Sequence, residues 1–143
     1  MRFRRLVLAL LLAPMLLAGC GKTDPQAALD AAVQELQDNL EAKKTGAVMD
    51  QLHPGFQAGE GMDREWAKRT MTLMFLRYAS VRIIAVTRSS RIDPGTSQVG
   101  HTEAQVVVTG AQGLIPERAA PYAVKLQWRR DGSDWKLIEL RWE

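Results

Sequence analysis

The stretch from Tyr122 to Trp142, YAVKLQWRRDGSDWKLIELRW, decides the fold of this 143-residue chain. In its first arm, large apolar side chains alternate with polar or small ones: Tyr122, Val124, Leu126 and Trp128. That period of two is typical of a strand with one buried face. Asp131-Gly132 is a typical hairpin turn, and the second arm alternates again. The stretch therefore predicts an antiparallel hairpin that gives a sheet one apolar face.

The length of the hairpin loop decides which side chains share that face. A two-residue loop would pair Leu126 with Leu137, whereas a three-residue loop would pair Leu126 with Ile138. We favour the three-residue loop, because Ile138 then continues a uniform apolar set along the second arm. Trp135 and Leu137 would then form a small apolar patch on the polar face. Such a patch needs a cover, so both residues are candidate partner contacts.

The strand periodicity extends upstream to Val81. Strands are predicted over Val81–Ser89 and Ser97–Thr109, joined by the turn residues of Asp93–Thr96. The segment 110–121 is expected to be a loop. Its Leu114 and Ile115 are apolar where polar residues are usual, so they are candidate contacts with a partner or with lipid.

Helical periodicity precedes the strands. Asp24-Pro25 is a typical helix start, and apolar residues then recur at spacings of four, three and four to predict a helix from Pro25 to about Thr45: Leu29, Val33, Leu36 and Leu40. Gly46 would end it, and residues 47–52 suggest a short second helical piece before a break at His53-Pro54-Gly55.

A further helix is predicted from the cap Asp63 to about Tyr78. Apolar residues surround most of it, so we expect it to be covered on most sides. The fold class is thus α+β, with N-terminal helices packed on a curved antiparallel sheet of about four strands.

The first 24 residues indicate where the protein is located. Three arginines precede an apolar run of 12 residues from Leu6 to Leu17, and Ala18-Gly19-Cys20 follows. This order resembles the lipobox of bacterial lipoproteins, in which the cysteine is acylated and becomes the first residue. The run is short for a membrane span, which needs about 20 residues. The predicted organisation is a signal peptide over 1–19, a lipidated tether over 20–24 and one domain over 25–143. Because Gly21 is not aspartate, the resemblance implies the periplasmic face of the outer membrane.

Composition excludes several classes of function. Loss of the signal lowers the Lys and Arg count from 19 to 16, which equals the 16 Asp and Glu residues. A neutral domain without a basic cluster is not expected to bind nucleic acid. The only cysteine is Cys20, the predicted lipid site, and the two histidines are far apart. We therefore expect no metal and no cofactor.

The order of elements resembles the nuclear transport factor 2-like, cystatin-like superfamily, which includes proteins of the SnoaL and ketosteroid isomerase type. The resemblance rests on the N-terminal helices, the break at 52–56, the third helical stretch, the meander and the ending Asp-Gly-x-Asp-Trp-Lys-Leu-Ile. It covers Pro25 to Trp142. It implies a cone whose interior holds an apolar ligand or an active site, and an outer sheet face that often forms a homodimer.

Two functions from different classes follow. The first is a non-catalytic module that binds a protein partner or a small apolar molecule, with these candidate pocket residues: His53, Trp66, Tyr78 and Tyr122. The alternative is an enzyme of the ketosteroid isomerase or polyketide cyclase type, which needs a pocket carboxylate as base. The only acids inside predicted strands are Glu103 and Glu139, and both share a polar face with basic or amide side chains. We therefore expect no catalysis.

Overall fold

The computed structural model describes residues 24–112 and 115–143, but not the side chains of residues 111–120. The predicted signal, Cys20 and Leu114 lie outside these residues. The elements are α1 (Pro25–Glu41), α2 (Thr45–Gln51), β1 (Leu52–Gln57), α3 (Arg64–Arg77), β2 (Ser80–Ile92), β3 (Val99–Gln112), β4 (Ile115–Asp131) and β5 (Asp134–Trp142). None of the described helices is long and apolar enough to cross a bilayer.

Helix α1 begins where the sequence predicts. The Asp24 carboxylate accepts a hydrogen bond from the backbone N of Ala27 (3.3 Å), and Leu29, Val33 and Leu36 are buried. The helix ends at Glu41, earlier than predicted. Lys43 has a φ of 57°, so the chain turns there and not at Gly46.

The sheet has five strands in the order β1-β5-β4-β3-β2. β1 runs parallel to β5, and the other neighbours are antiparallel. The α+β class and the helices on a curved sheet are confirmed, but one strand was missed. Pro54 and Gly55 suggested a break, yet they lie in β1 at the edge of the sheet, where a missing backbone donor is tolerated.

The predicted loop over 110–121 is wrong. β3 extends to Gln112 and β4 begins at Ile115, with Gly110 opposite Arg118 and Gln112 opposite Ile115. A register shift between Gly110 and Ala111 lets the pairing continue past Pro116. The side chains of the candidate contacts Leu114 and Ile115 are outside the described set, so that hypothesis stays a prediction.

Both predicted registers of the last hairpin are wrong. The loop is Gly132-Ser133, with Asp131 opposite Asp134, and a β-bulge then shifts the pairing so that Trp128 faces Leu137 but Leu126 faces Leu140. The extra residue is Ile138. This extra residue shifts the alternation of the strand, so that Leu137 before it and Leu140 after it both lie on the inner face.

Trp135 and Leu137 are therefore core residues, only 4% and 3% exposed. The patch proposed from the sequence does not exist at these positions, because the bulge turns both side chains inward. Neither residue is accessible to a partner.

The core closes one end of the cone. Trp128 and Leu29 are completely buried, and the indole Nε1 of Trp128 donates to Thr102 Oγ1 (3.1 Å). Gly100 permits this packing, since a Cβ there would lie 2.9 Å from Leu29 Cδ2. We call this region, where α1 begins, the closed end.

Helix α1 also covers the edge strand β2. Gln26 Nε2 donates to Ser90 O (3.0 Å), Gln37 Nε2 donates to Ile83 O (2.9 Å), and Glu41 Oε2 accepts from Ile83 N (3.4 Å). These bonds satisfy backbone groups that an open edge would leave free, and they fix α1 along the strand.

Helix α3 begins at its predicted cap, where the Asp63 carboxylate accepts from the backbone N of Trp66 (3.0 Å). Its predicted burial is wrong: Leu73 and Leu76 are 68% and 81% exposed. The helix packs on α2 and β1, and Ala67 in its first half is its one buried residue. Its second half therefore extends past the core.

Candidate functional site

The inner face of the sheet continues beyond the core as a partly exposed aromatic surface. We call it the mouth surface, and it consists of Trp66, Tyr78, Val106, Tyr122, Val124 and Trp142. Val106 is opposite Tyr122, and Val124 is opposite Trp142, so these four share the inner face. None of the six is buried. The cone is thus packed at the closed end and open at this one.

Two tryptophans from distant parts of the chain meet at the mouth surface. The rings of Trp66 and Trp142 stack with their centroids 6.3 Å apart and their planes 11° from parallel. The Asp63 cap fixes Trp66 in the first turn of α3, and pairing with Val124 fixes Trp142 at the end of β5. An offset stack of this kind leaves ring faces and edges for further contacts. Trp142 is 41% exposed.

Tyr78 is held at the far side of the same face. Lys43 Nζ donates to Phe75 O (3.1 Å) and to Tyr78 O, at the C-terminal end of α3, where a cation is favourable. The ring lies on β3 at Gly110, because a Cβ at that glycine would be only 2.7 Å from Tyr78 Cδ1. The missing side chain at Gly110 therefore makes room for the tyrosine.

Three of the four predicted pocket residues lie on this face, and the fourth does not. Trp66, Tyr78 and Tyr122 belong to the mouth surface. His53 follows the inward-facing Leu52 in β1, so its side chain points to the opposite side. Its Nδ1 accepts a hydrogen bond from Gly55 N (2.9 Å), which is the simple local role open to a histidine before Pro-Gly.

Sequence reasoning missed Trp142 as a site residue. Its alternation with Leu140 was visible and placed it on the apolar face. What the sequence could not show is the stack with Trp66, which is 76 positions away in the chain. Aromatic residues at the end of the last strand are the signal that could have suggested it.

The acidic side chains of the strands lie outside the cone. Glu103 is opposite Lys125 on the outer face, and Glu139 forms an ion pair with Arg141. The inner-facing side chains described in β2 to β5 include no Asp, Glu or His. Within the described residues, no three His, Cys, Asp or Glu side chains are grouped as metal ligands. The mouth surface thus offers aromatic rings and two phenol groups.

Two concavities are described on the surface, and neither is lined by Trp66 or Trp142. One, of about 580 Å³, is lined by α2 and α3 residues that include Met49, Arg64 and Lys68. Arg64 Nη2 there donates to Met49 O (3.1 Å). The other, of about 270 Å³, crosses β2, β3 and β4. Both are open to solvent and are lined by acidic and basic side chains, so neither indicates a particular class of ligand.

Comparison with known proteins gives the fold. No family model and no curated protein matches the chain. Among solved structures it is similar to a putative dehydratase of the NTF2-like family from Streptomyces avermitilis, with 11% identity, a TM-score of 0.66 and coverage of 82% of this chain and 93% of that one. A cystatin-like protein of unknown function from Nostoc punctiforme has 14% identity, a TM-score of 0.62 and coverage of 81% and 87%.

Bd1075 of Bdellovibrio bacteriovorus is also similar, with 10% identity and a TM-score of 0.70. The match covers 80% of this chain but only 40% of Bd1075. Together these likenesses show that the chain has the nuclear transport factor 2-like, cystatin-like fold. This fold hosts unrelated functions, so the function has to be argued from the site.

Proposed function

We propose that this protein is a non-catalytic module that binds a small apolar molecule at the mouth surface, while an acylated Cys20 anchors it to the periplasmic face of the outer membrane. The observation that carries the binding proposal is the stacked pair Trp66 and Trp142 at the open end of the cone. Outside the core, this is the part of the inner face where aromatic side chains converge.

The physical argument for binding is that the mouth surface leaves apolar side-chain area exposed, which a ligand could bury. Burial of apolar surface contributes about 25 cal/mol per Å², and stacked aromatic contacts add about 0.5–1.5 kcal/mol. Trp142 retains 41% exposure on an inner face whose other end is fully packed. A flat apolar ligand would complete this burial, and the phenol groups of Tyr78 and Tyr122 would suit a ligand with one polar group.

The non-catalytic part of the proposal rests on the position of the two acids within the predicted strands, Glu103 and Glu139. Proton abstraction needs a base within hydrogen-bond reach of the substrate. Glu103 and Glu139 face away from the mouth surface, on the other side of the sheet. A substrate on the mouth surface would be out of their reach.

The anchor part rests on the signal and on the start of the described domain. Helix α1 begins directly after Asp24. The five residues 20–24 span at most about 18 Å when extended. An acylated Cys20 would therefore hold the domain close to the bilayer.

The binding proposal is tested by calorimetric titration with 2-naphthol, a flat apolar ring system with one hydroxyl group. The chain from Gly21 to Glu143 contains every described residue and is the protein to use. We expect saturable binding with one site, and Trp142→Ala should weaken it about tenfold, the equivalent of one lost aromatic contact.

The matched control is Ile84→Ala, since Ile84 is 55% exposed but lies on the outer face. It should leave the affinity unchanged. Equal weakening by both substitutions would mean that 2-naphthol adheres to exposed apolar side chains in general, and absence of saturable binding would contradict the proposal outright.

A further inference from the structure

The second half of α3 leaves large apolar side chains in solvent. Arg69, Leu73 and Leu76 follow one another at spacings of four and three, so they share one face of the helix. The two leucines are 68% and 81% exposed. The described part of the domain therefore does not cover this face. An exposed apolar pair with a charged rim is typical of a surface that another molecule covers.

The same half of α3 is basic. From Trp66 to Arg77 the helix has no acidic residue, and its basic side chains are all exposed: Lys68, Arg69 and Arg77. The acids of this helix, the cap Asp63 and Glu65, lie at its start. Lys43 adds a charge at the other end, where its Nζ binds backbone carbonyls. The exposed leucines are therefore surrounded by positive charge.

Helix α1 has the opposite charge. It has no basic residue between Pro25 and Glu41, and three of its acids are exposed: Asp30, Glu35 and Asp38. Ala27 and Ala31 are exposed as well, and their spacing of four places them on one face of the helix. The exposed side of α1 thus consists of small apolar side chains surrounded by negative charge.

Three side chains of neighbouring segments reduce this contrast without reversing it. Arg88 of β2 reaches α1, where its Nη1 donates to Gln34 Oε1 (2.9 Å). Lys44 follows α1 and is exposed. Asp50 of α2 lines the same concavity as Lys68. With all three included, α1 keeps an excess of negative charge, and the second half of α3 keeps an excess of positive charge.

The two helices lie on the same side of the sheet and converge at one end. α1 packs against β2 and β5, and Trp66 of α3 stacks on the inner-facing Trp142. Lys43, two residues after α1, donates to the carbonyls of Phe75 and Tyr78 at the end of α3. The acidic and the basic face are therefore neighbours on the helical side of the domain.

We infer that a second copy of this chain covers the exposed half of α3, in a two-fold dimer formed through the helical side of the domain. When two copies meet about an axis that runs between α1 and α3, the α3 of each copy faces the α1 of the other. The basic face then meets the acidic face twice. Leu73 and Leu76 pack on the exposed alanines of the other copy, and complementary charges select this arrangement.

The size of this surface suits a weak dimer. Helix α1 is about 25 Å long, and two helices side by side are about 20 Å wide. Such a contact is at the small end of specific interfaces, which bury about 800 Å² on each partner. We therefore expect a dissociation constant in the micromolar range.

The dimer is compatible with the proposed lipid anchor but does not depend on it. Because the axis runs along the helices, both copies of α1 begin at the same end of the dimer. Two tethers that start there can reach the same bilayer. The contact also differs from the outer sheet face, through which the resemblance implies a homodimer.

Sedimentation equilibrium of the chain from Gly21 to Glu143 tests the inference, and we expect a reversible equilibrium between monomer and dimer. Leu73→Ser with Leu76→Ser should weaken the dimer at least about tenfold, since both leucines of each copy lose their burial. The matched control is Ile84→Ser with Val86→Ser, which should leave the equilibrium unchanged. These two residues of β2 are 55% and 66% exposed.

Charge reversal tests which faces meet. One variant carries Asp30→Lys, Glu35→Lys and Asp38→Lys, and the other carries Lys68→Glu and Arg69→Glu. Each variant should be monomeric alone, because its α1 and its α3 then have the same sign of charge. An equimolar mixture should form a one-to-one dimer, since each reversed helix then faces its opposite in the other chain. Circular dichroism checks that both variants are folded.

Three results would overturn the inference. The first is a native chain that stays monomeric at every concentration, and the second is a mixture of folded reversal variants that does not dimerise. The third is loss of the dimer in the Ile84 and Val86 variant but not in the leucine variant, which would assign the dimer to the sheet. None of these outcomes changes the binding of 2-naphthol to a single chain, so the proposed function is tested separately.

Discussion

Replacement of Trp128 by alanine should lower the free energy of unfolding by about 3–5 kcal/mol, the usual cost of removing a large buried aromatic side chain. Trp128 is completely buried and contacts the core formed with Leu29. The substitution also removes the hydrogen bond from its indole Nε1 to Thr102 Oγ1, and Thr102 is itself 1% exposed. A loss of this size would remove much of the stability of a single domain, which is about 5–15 kcal/mol.

Trp142→Ala is the matched control for this experiment, because it removes the same side chain from a position 41% exposed. Urea denaturation of both variants should show a clearly smaller loss for Trp142→Ala, with similar slopes against denaturant concentration. Equal losses would contradict the division of the inner face into a packed closed end and an open mouth surface.

Replacement of Cys20 by alanine should release the protein from the outer membrane completely. Several acyl chains bind a bilayer with about 0.8 kcal/mol per buried methylene group, so no other contact can replace them. Fractionation of the host membranes, with mass spectrometry of the purified chain, measures both location and acylation. The native chain should begin at residue 20 and carry acyl groups.

The control for this experiment is Gly21→Asp, which leaves the thiol in place. The lipoprotein resemblance implies that this variant is still acylated but leaves the outer membrane fraction. If Cys20→Ala remained with the outer membrane, the lipid anchor would be wrong, and attachment would have to come from the folded domain.

Periodicity predicted the element types well, because local patterns determine them. The helix starts at Asp24 and Asp63 were readable from capping side chains, and both accept the expected hydrogen bonds. Ala104, Val106 and Val108 alternate with more polar residues within the predicted strand Ser97–Thr109, and the pairing of β3 places all three on the inner face. Such features depend on a few neighbouring residues.

The predicted register of the last hairpin was wrong because the pairing depends on a single inserted residue. A strict period of two assigned Ile138 and Leu140 to one face and Leu137 to the other. The bulge at Ile138 changes the phase between Leu137 and Leu140, so both are inward. No residue type at this position indicates a bulge. The strict alternation therefore placed Trp135 on the polar face, whereas it lies in the core.

The predicted burial of α3 was wrong for a different reason. Its apolar composition indicates that something covers it, but composition does not state how far the helix overlaps the sheet. The core ends near Ala67, and Leu73 and Leu76 lie beyond it. The sequence did not predict the contact of Trp66 with Trp142 for the same reason, since this contact depends on where α3 lies over the sheet.

The four tryptophans provide the most direct test of the central claim, that the closed end of the cone is packed and the mouth surface binds an apolar ligand. Their indole N–H resonances can be followed separately by NMR during titration of the chain from Gly21 to Glu143 with 2-naphthol. We predict saturable shifts for Trp66 and Trp142, with Trp128 and Trp135 unchanged. Shifts confined to Trp128 and Trp135, or no shift in any of the four, would contradict the account.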